Sequence, residues 1–339
     1  MRRHLILLVA VLGLLLVIDL ILDRNAASQR NLAAAVRPVV GVDPQRAQTL
    51  RIAQGGSRWE YVLRDSMWRY PAYFDAYVQR PRLDQFLRSV MSSSGSIIDD
   101  DEHTAQGFGF GDAGALEVEI LDAQRRDIVA ARVGRGLPGA LGSESYLRKM
   151  AEDTVFHLHA NPRLALDAQA VPMIDRHLLP QALHRGAIVR VSFPGRTAEV
   201  ESMWREDLPP DLTGPPLRGP TYRWRARLAG MDTTCVDHSV YAYLSYLTRV
   251  RYDRLLAPGN LGRTAEHIGV VLLEDDKGVI DTLEVAGGDP AVVRHRLARL
   301  TATLTSEQAG LMFPVAAAVL DTLAQPSIYE RAAARTQGV

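Results

Sequence analysis

Apolar and polar positions alternate along much of this chain, and the alternation changes period at recognisable places. In TLRIAQGGSRWEYVLRDSMWRYP, Leu50 and Ile52 precede a Gly55-Gly56 turn and then Trp59, Tyr61 and Leu63. This period-two pattern predicts a β-hairpin ending near Trp68. RPRLDQFLRSVMSS then places Leu83, Phe86, Leu87 and Val90 at helical spacing, with Pro81 tolerated in the first turn. Beyond IIDDDEH, expected as a solvated acidic loop, and the glycine-rich GFGFGD, the run LEVEILDAQRRDIVAARVG predicts a second hairpin with Leu116, Val118 and Ile120 on one side. The order is hairpin, helix, hairpin.

That order recurs. AIVRVSFPGRTAEVESM carries Ile188 or Val189, Val191, a turn at Gly195, then Ala198 and Val200. In VDHSVYAYLSYLTRV, Val240, Tyr243, Leu244 and Leu247 each lie 157 residues after Leu83, Phe86, Leu87 and Val90. IGVVLLEDDKGVIDTLEVAGG sets Ile268, Val270 and Leu272 at 152 residues from Leu116, Val118 and Ile120, continuing to Val285 opposite Val133. Trp68 stands 15 residues before Leu83 and Trp224 stands 16 before Val240. Shared spacings of this kind indicate internal duplication. The expected fold class is therefore α+β, an N-terminal transmembrane helix followed by two repeated modules of antiparallel sheet plus helix.

The transmembrane expectation rests on RRHLILLVAVLGLLLVIDLILDR. Leu5 to Leu22 is 18 residues interrupted only by Asp19, near the lower limit for crossing about 30 Å of hydrocarbon. Asp19 would sit about one turn from an interface, where its carboxylate reaches headgroup water. Small residues are missing at the positions a signal peptidase needs soon after this core, which favours an uncleaved signal anchor over a cleaved signal. Arg2 and Arg3 place the N-terminus in the cytoplasm and the bulk of the chain on the periplasmic or extracytoplasmic side. The organisation expected is a signal anchor at 1–24, a tether at 25–48, a first module at 49–185, a second at 186–290 and a C-terminal helical tail at 291–339. The apolar run from Ala309 to Leu320 is short and contains Pro314, so it reads as a buried helix.

Composition narrows the partners. Lys plus Arg equal Asp plus Glu at 39 each, so no net field draws in nucleic acid or an anionic lipid surface. The single cysteine, Cys235, excludes an intrachain disulfide, which leaves packing to supply stability outside the cytoplasm.

Several clusters carry suggestive chemistry. His157 and His159 in VFHLH point the same way from a strand, as a two-histidine metal site requires, but no third ligand is identifiable. Cys235, Asp237 and His238 gather at a helix start, where a thiol and imidazole form a nucleophilic pair in some enzymes; Asp237 as a helix cap is the preferred reading. Asp99, Asp100, Asp101 and Glu102 lack the spacing of a calcium loop. Gly107, Gly109 and Gly111 lack a phosphate-loop register and read as a turn, with Phe108 and Phe110 packing onto the core. Tyr241, Tyr243 and Tyr246 read as core and rim. No catalytic, cofactor-binding or metal-binding residue is expected, and the chain is expected not to be an enzyme.

The pieces LRIAQGGSRWEYVLRDSMW, LDQFLRSVM, GFGF, LEVEILDAQRRDIVAARVG and SYLRKMAEDTVFHLH, with DRHLLP closing the first unit, resemble domain-of-unknown-function family 4340 over residues 45 to 290. The long insertion EDLPPDLTGPPLRGP before Trp224 departs from that pattern. The resemblance implies an auxiliary envelope protein, often encoded beside ABC transporters of the gliding-motility type, and transfers no catalytic residue. The expected role is a non-catalytic, membrane-anchored accessory or scaffold protein of such a transport system, or else an exported module binding a small molecule, glycan or peptide between its repeats. A reporter fused after Val339 should be active only on the far side of the cytoplasmic membrane; activity confined to the cytoplasm would refute the expected topology.

Overall fold

The computed structural model describes residues 36–99, 107–111, 114–137, 142–180, 187–195, 199–207, 222–257 and 267–314. Its contacts divide the chain into two compact units. One contains the described residues up to Trp68 with Gln79–Met173, and the other contains Arg69–Val78 with the described residues from Ile174 onward.

The expected α+β class is not what the chain adopts. Among the described residues there are nineteen strands and only three α-helices, and the protein is mostly antiparallel sheet. The helical-period stretches were legible, but several strands were not. Ser94–Asp99, whose last three residues were expected to open the acidic loop, is a strand because its backbone pairs with Val155–Leu158 on a neighbouring strand. The pairing partner, 56 or more residues away in the chain, supplies what the local polar composition does not. The region assigned to a helical tail is likewise strand from Ala291 to His295 and from Leu300 to Leu304, followed by a short helix. DRHLLP belongs to the second unit and not to the first. Among the described residues no helix is long and apolar enough to cross a membrane; the expected span at Leu5 to Leu22 lies outside them.

In chain order the first sheet contains β1 (Arg37–Pro38), β2 (Thr49–Gln54), β3 (Ser57–Arg64), β4 (Met67–Tyr70), β5 (Ala76–Tyr77), then helix α1 (Arg80–Met91), β6 (Ser94–Asp99), β7 (Leu116–Leu121), β8 (Asp127–Gly136), β9 (Ser145–Lys149) and β10 (Val155–Leu158). The second contains β11 (Ile188–Ser192), β12 (Val200–Asp207), β13 (Tyr222–Leu228), β14 (Met231–Thr234), then α2 (Asp237–Arg249), β15 (Arg254–Leu255), β16 (His267–Asp275), β17 (Ile280–Ala286), β18 (Ala291–His295) and β19 (Leu300–Leu304), with α3 (Ser306–Leu311) after it. Setting β1 aside, the first sheet runs β6-β10-β9-β8-β7-β2-β3-β4-β5 and the second runs β15-β19-β18-β17-β16-β11-β12-β13-β14. These are the same nine-strand order, with one helix inserted at the same place in each.

Details of the two sheets repeat too. Asp122 ends β7 and accepts backbone N–H groups from Gln124 at 2.8 Å and Arg126 at 3.0 Å. Asp275 ends β16 and accepts from Lys277 and Val279, both at 2.9 Å. Both turns then need a left-handed residue, supplied by Arg125 (φ 59) in one and by Gly278 (φ 73) in the other. A short aspartate that satisfies its own turn's donors is the usual reason for such a residue at a strand end.

Each sheet presents one apolar and one charged face, as period-two alternation requires. Leu50, Ile52, Leu116, Val118 and Ile120 are fully buried. Between them Arg51 stands opposite both Glu60 and Glu119, and Glu117 opposite Arg132, as ion pairs on the other face. In the second sheet Val271, Leu273, Leu283, Val285 and Val293 face inward, while Glu206 pairs with Arg223, Arg227 with Asp232 and Glu284 with Arg294 outside. The inward set of β16 corrects the expectation of Ile268, Val270 and Leu272. Ile268 is exposed and Gly269, Val271 and Leu273 are buried. The counterpart spacing is 153 residues on this strand and returns to 152 at Val133 and Val285, because β8 of the first sheet holds one extra residue, Ile128, in a bulge opposite the step from Ile120 to Leu121.

The helices bury the faces that their spacing indicated, Leu83, Phe86, Leu87 and Val90 on α1 and Val240, Tyr243 and Leu247 on α2. Leu244 is half-buried. Trp68 on β4 and Trp224 on β13 occupy matching strands and are 8% and 1% exposed. Each lies one strand later than the hairpin end expected for it. Trp→Ala at either position should cost about 3 to 5 kcal/mol, read from urea unfolding with an unchanged slope. The double variant should lose the sum to within about 0.5 kcal/mol, since the residues belong to different units; a much smaller combined loss would deny the two tryptophans their parallel role.

Candidate functional site

Most of the suggestive clusters resolve into structural roles. His157 Nε2 is 2.8 Å from Glu144 Oε2, and its ring meets that of His159 edge-on with centroids 5.2 Å apart. Among the described residues no group of three or more His, Cys, Asp or Glu side chains is placed to hold a metal ion. Phe110 is buried, and the Phe108 ring meets that of Tyr146 at a tilt of 57° with centroids 4.7 Å apart. Gly134 lets the Phe108 carbonyl approach, since a Cβ there would lie 2.2 Å from that oxygen. Asp99 pairs along β6, and Asp100, Asp101 and Glu102 lie outside the described residues.

At the start of α2 the cysteine and histidine diverge. Cys235 is buried and His238 exposed. Burial first, and the Asp237 charge second, push the Cys235 thiol up to about 12, the opposite of nucleophile activation. Asp237 is not the helix cap. It is the first helical residue, the position before it is Val236, and its carboxylate accepts the N–H of Trp224 at 3.1 Å. The tyrosines divide as well. Tyr243 and Tyr246 are buried and donate to the carbonyls of Met312 (2.8 Å) and Gln308 (2.6 Å), whereas Tyr241 is 42% exposed and meets the hydroxyl of Tyr222.

A buried ionisable pair lies in the second unit where the first has none. His295 Nε2 contacts Asp281 Oδ2, and His295 Nδ1 lies 2.9 Å from the Leu178 carbonyl. A carbonyl only accepts, so Nδ1 carries a proton and donates it there. Both side chains are almost wholly enclosed, at 0% and 2% exposure. The strand register puts Val129 and Lys149 at the corresponding places in the first unit.

One feature with room for a ligand is a groove of about 590 Å³ in the second unit, within the range of small-molecule sites. The outer side of α2 supplies Tyr241, Leu244 and Arg249, β13 supplies Tyr222 and Trp224, and β12 supplies Arg205. The Arg205 guanidinium lies 4.9 Å from the centre of the Tyr222 ring and 3.7 Å from the well-exposed Asp207. The indole N–H of Trp224 is buried without a hydrogen-bond partner of good geometry, beside the Tyr241 hydroxyl. His177, at the rim, is held at 2.6 Å by Asp175. Among the described residues lining the groove none is acidic. Arg205, Tyr222 and Arg249 were not singled out from the sequence, because they come from two strands and a helix end that only the sheet brings together.

No family model matches the chain, and neither a curated protein nor a solved structure matches it. The resemblance to family 4340 therefore rests on the sequence motifs quoted above.

Because folding holds the Cys235 thiol protonated above its ordinary range, the native state is favoured up to that ordinary value. It loses this contribution as pH rises further towards the folded-state value. Cys235 should accordingly resist iodoacetamide in the native protein at pH 8 and alkylate in urea, read by intact mass; rapid native alkylation would contradict the enclosed thiol.

Proposed function

We propose that this protein is a non-catalytic accessory or scaffold component of an envelope transport system, held to the cytoplasmic membrane by its N-terminal apolar segment with the sheet units outside. The observation that weighs against thiol catalysis is the state of the chain's one cysteine, enclosed and driven towards its protonated form beside Asp237. Two β units with charged, solvent-facing ladders suit a spacer that presents surfaces. The association with an ABC transporter rests on the family resemblance. Crosslinking in intact cells followed by isolation of the chain from detergent-solubilised membranes should recover transporter subunits in amounts comparable to the bait. Recovery of the chain alone, with crosslinking efficient on a known complex in the same membranes, would remove this reading.

A second reading is favoured by one specific observation, the groove in the second unit. In it the chain is an exported binding module whose ligand sits within one unit, on the outer side of α2. The two readings are compatible, since an accessory protein can present a bound ligand to its transporter.

A further inference from the structure

The same groove exists twice, and comparing the copies indicates what the second one takes. The first unit has a groove of about 670 Å³ lined by Trp68, Leu87, Asp84, Arg88 and Ser92, with Ser66 at the edge. In the second unit the corresponding residues are Trp224, Leu244, Tyr241, Ser245, Arg249 and Tyr222, at constant spacings of 156 residues for the strand and 157 for the helix. The tryptophan and the leucine are the packing positions, and they keep their apolar character.

Everything that would touch a ligand has changed. In the first unit two acids, Asp43 and Asp84, line the groove together with two arginines, Arg80 and Arg88, so the described lining carries no net charge. In the second unit Asp84 is replaced by an aromatic ring and Ser92 by Arg249. The acids are gone from the described lining, and two guanidiniums remain, one of them stacked on Tyr222. Among the described residues the ion pair of Arg205 is a 3.7 Å contact with the exposed Asp207, an arrangement worth little in water. A stacked guanidinium keeps its outward N–H donors free for a planar or tetrahedral anion. The exposed Tyr241 ring and the half-buried Tyr222 ring beside it offer flat apolar surface.

Resting on the binding-module reading, we infer that the second unit's groove binds a small anionic ligand, a carboxylate or phosphate carried on a flat apolar body. The anion lies between Arg205 and Arg249, and the body lies against Tyr222 and Tyr241. Its counterpart in the first unit does not bind such a ligand, because Asp43 and Asp84 stand in its lining and repel the anion.

The full chain titrated calorimetrically with 1-naphthyl phosphate and with neutral 1-naphthol tests this. The phosphate should bind with a stoichiometry of one and at least tenfold more tightly than the naphthol. Arg205→Gln with Arg249→Gln should weaken it by at least tenfold, while Arg88→Gln, in the first unit's groove, should leave it unchanged; unaltered thermal unfolding of each variant confirms that the fold is kept. Inorganic phosphate as a third titrant separates the anion from the body and should bind more weakly than the naphthyl ester. Equal affinity for naphthol, or equal loss in the Arg88 variant, overturns the anionic assignment while leaving a binding groove. Absence of saturable binding by both aromatic probes overturns the groove as a ligand site as well.

Discussion

The pleat of the β-strand is the constraint on which both units depend. Successive side chains must leave opposite faces of the sheet, so each strand commits alternate residues to the core and to water. The first sheet meets this with Leu50 and Ile52 inside and Arg51 outside, bracketed by Glu60 and Glu119 on its two neighbours. A slip of one residue would bury Arg51 and expose both apolar neighbours. Register is therefore held from both sides, by apolar burial within and by charge pairing without. The bulge at Ile128 is tolerated because it falls at the strand end, beside the turn that Asp122 organises.

Nine strands in the same order, a helix at the same point and the same aspartate turn make the second sheet a structural counterpart of the first. Against that common frame the differences carry information. Where the first unit has Val129 in its core, the second has Asp281 bonded to His295, whose other nitrogen holds the Leu178 carbonyl. Losing either member would strand a buried polar group, which is far costlier than never having placed one there. This pair ties the segment after Ile174 to β18 within the second unit.

The groove illustrates how a site arises on such a scaffold. Its floor is the tryptophan and leucine that each unit needs for packing, and its walls are positions that packing leaves free. A wall residue can change from Asp84 to Tyr241 in the counterpart unit at no cost to the core, because it faces outward from the helix. Function is built on these free positions, while stability depends on the buried ones.

Much of this was legible in the chain itself. The helical stripe at Leu83, Phe86, Leu87 and Val90 and the alternation at Leu50, Ile52, Leu116, Val118 and Ile120 are local patterns, and local patterns survive into the fold because each element must bury one face. The recurrence of these patterns with its tryptophan spacing was visible for the same reason. Three things were decided only by tertiary structure. Ser94–Asp99 is a strand because β10 pairs with it, which no window of sequence around it contains. The inward face of β16 is Gly269, Val271 and Leu273 because its pairing with β11 and β17 sets that register, while a bulge in the other unit shifts the apparent correspondence by one. The meeting of Arg205, Tyr222, Tyr241 and Arg249 follows from hydrogen-bonded neighbours and a helix laid beside them, so its residues are adjacent in space and scattered in the chain.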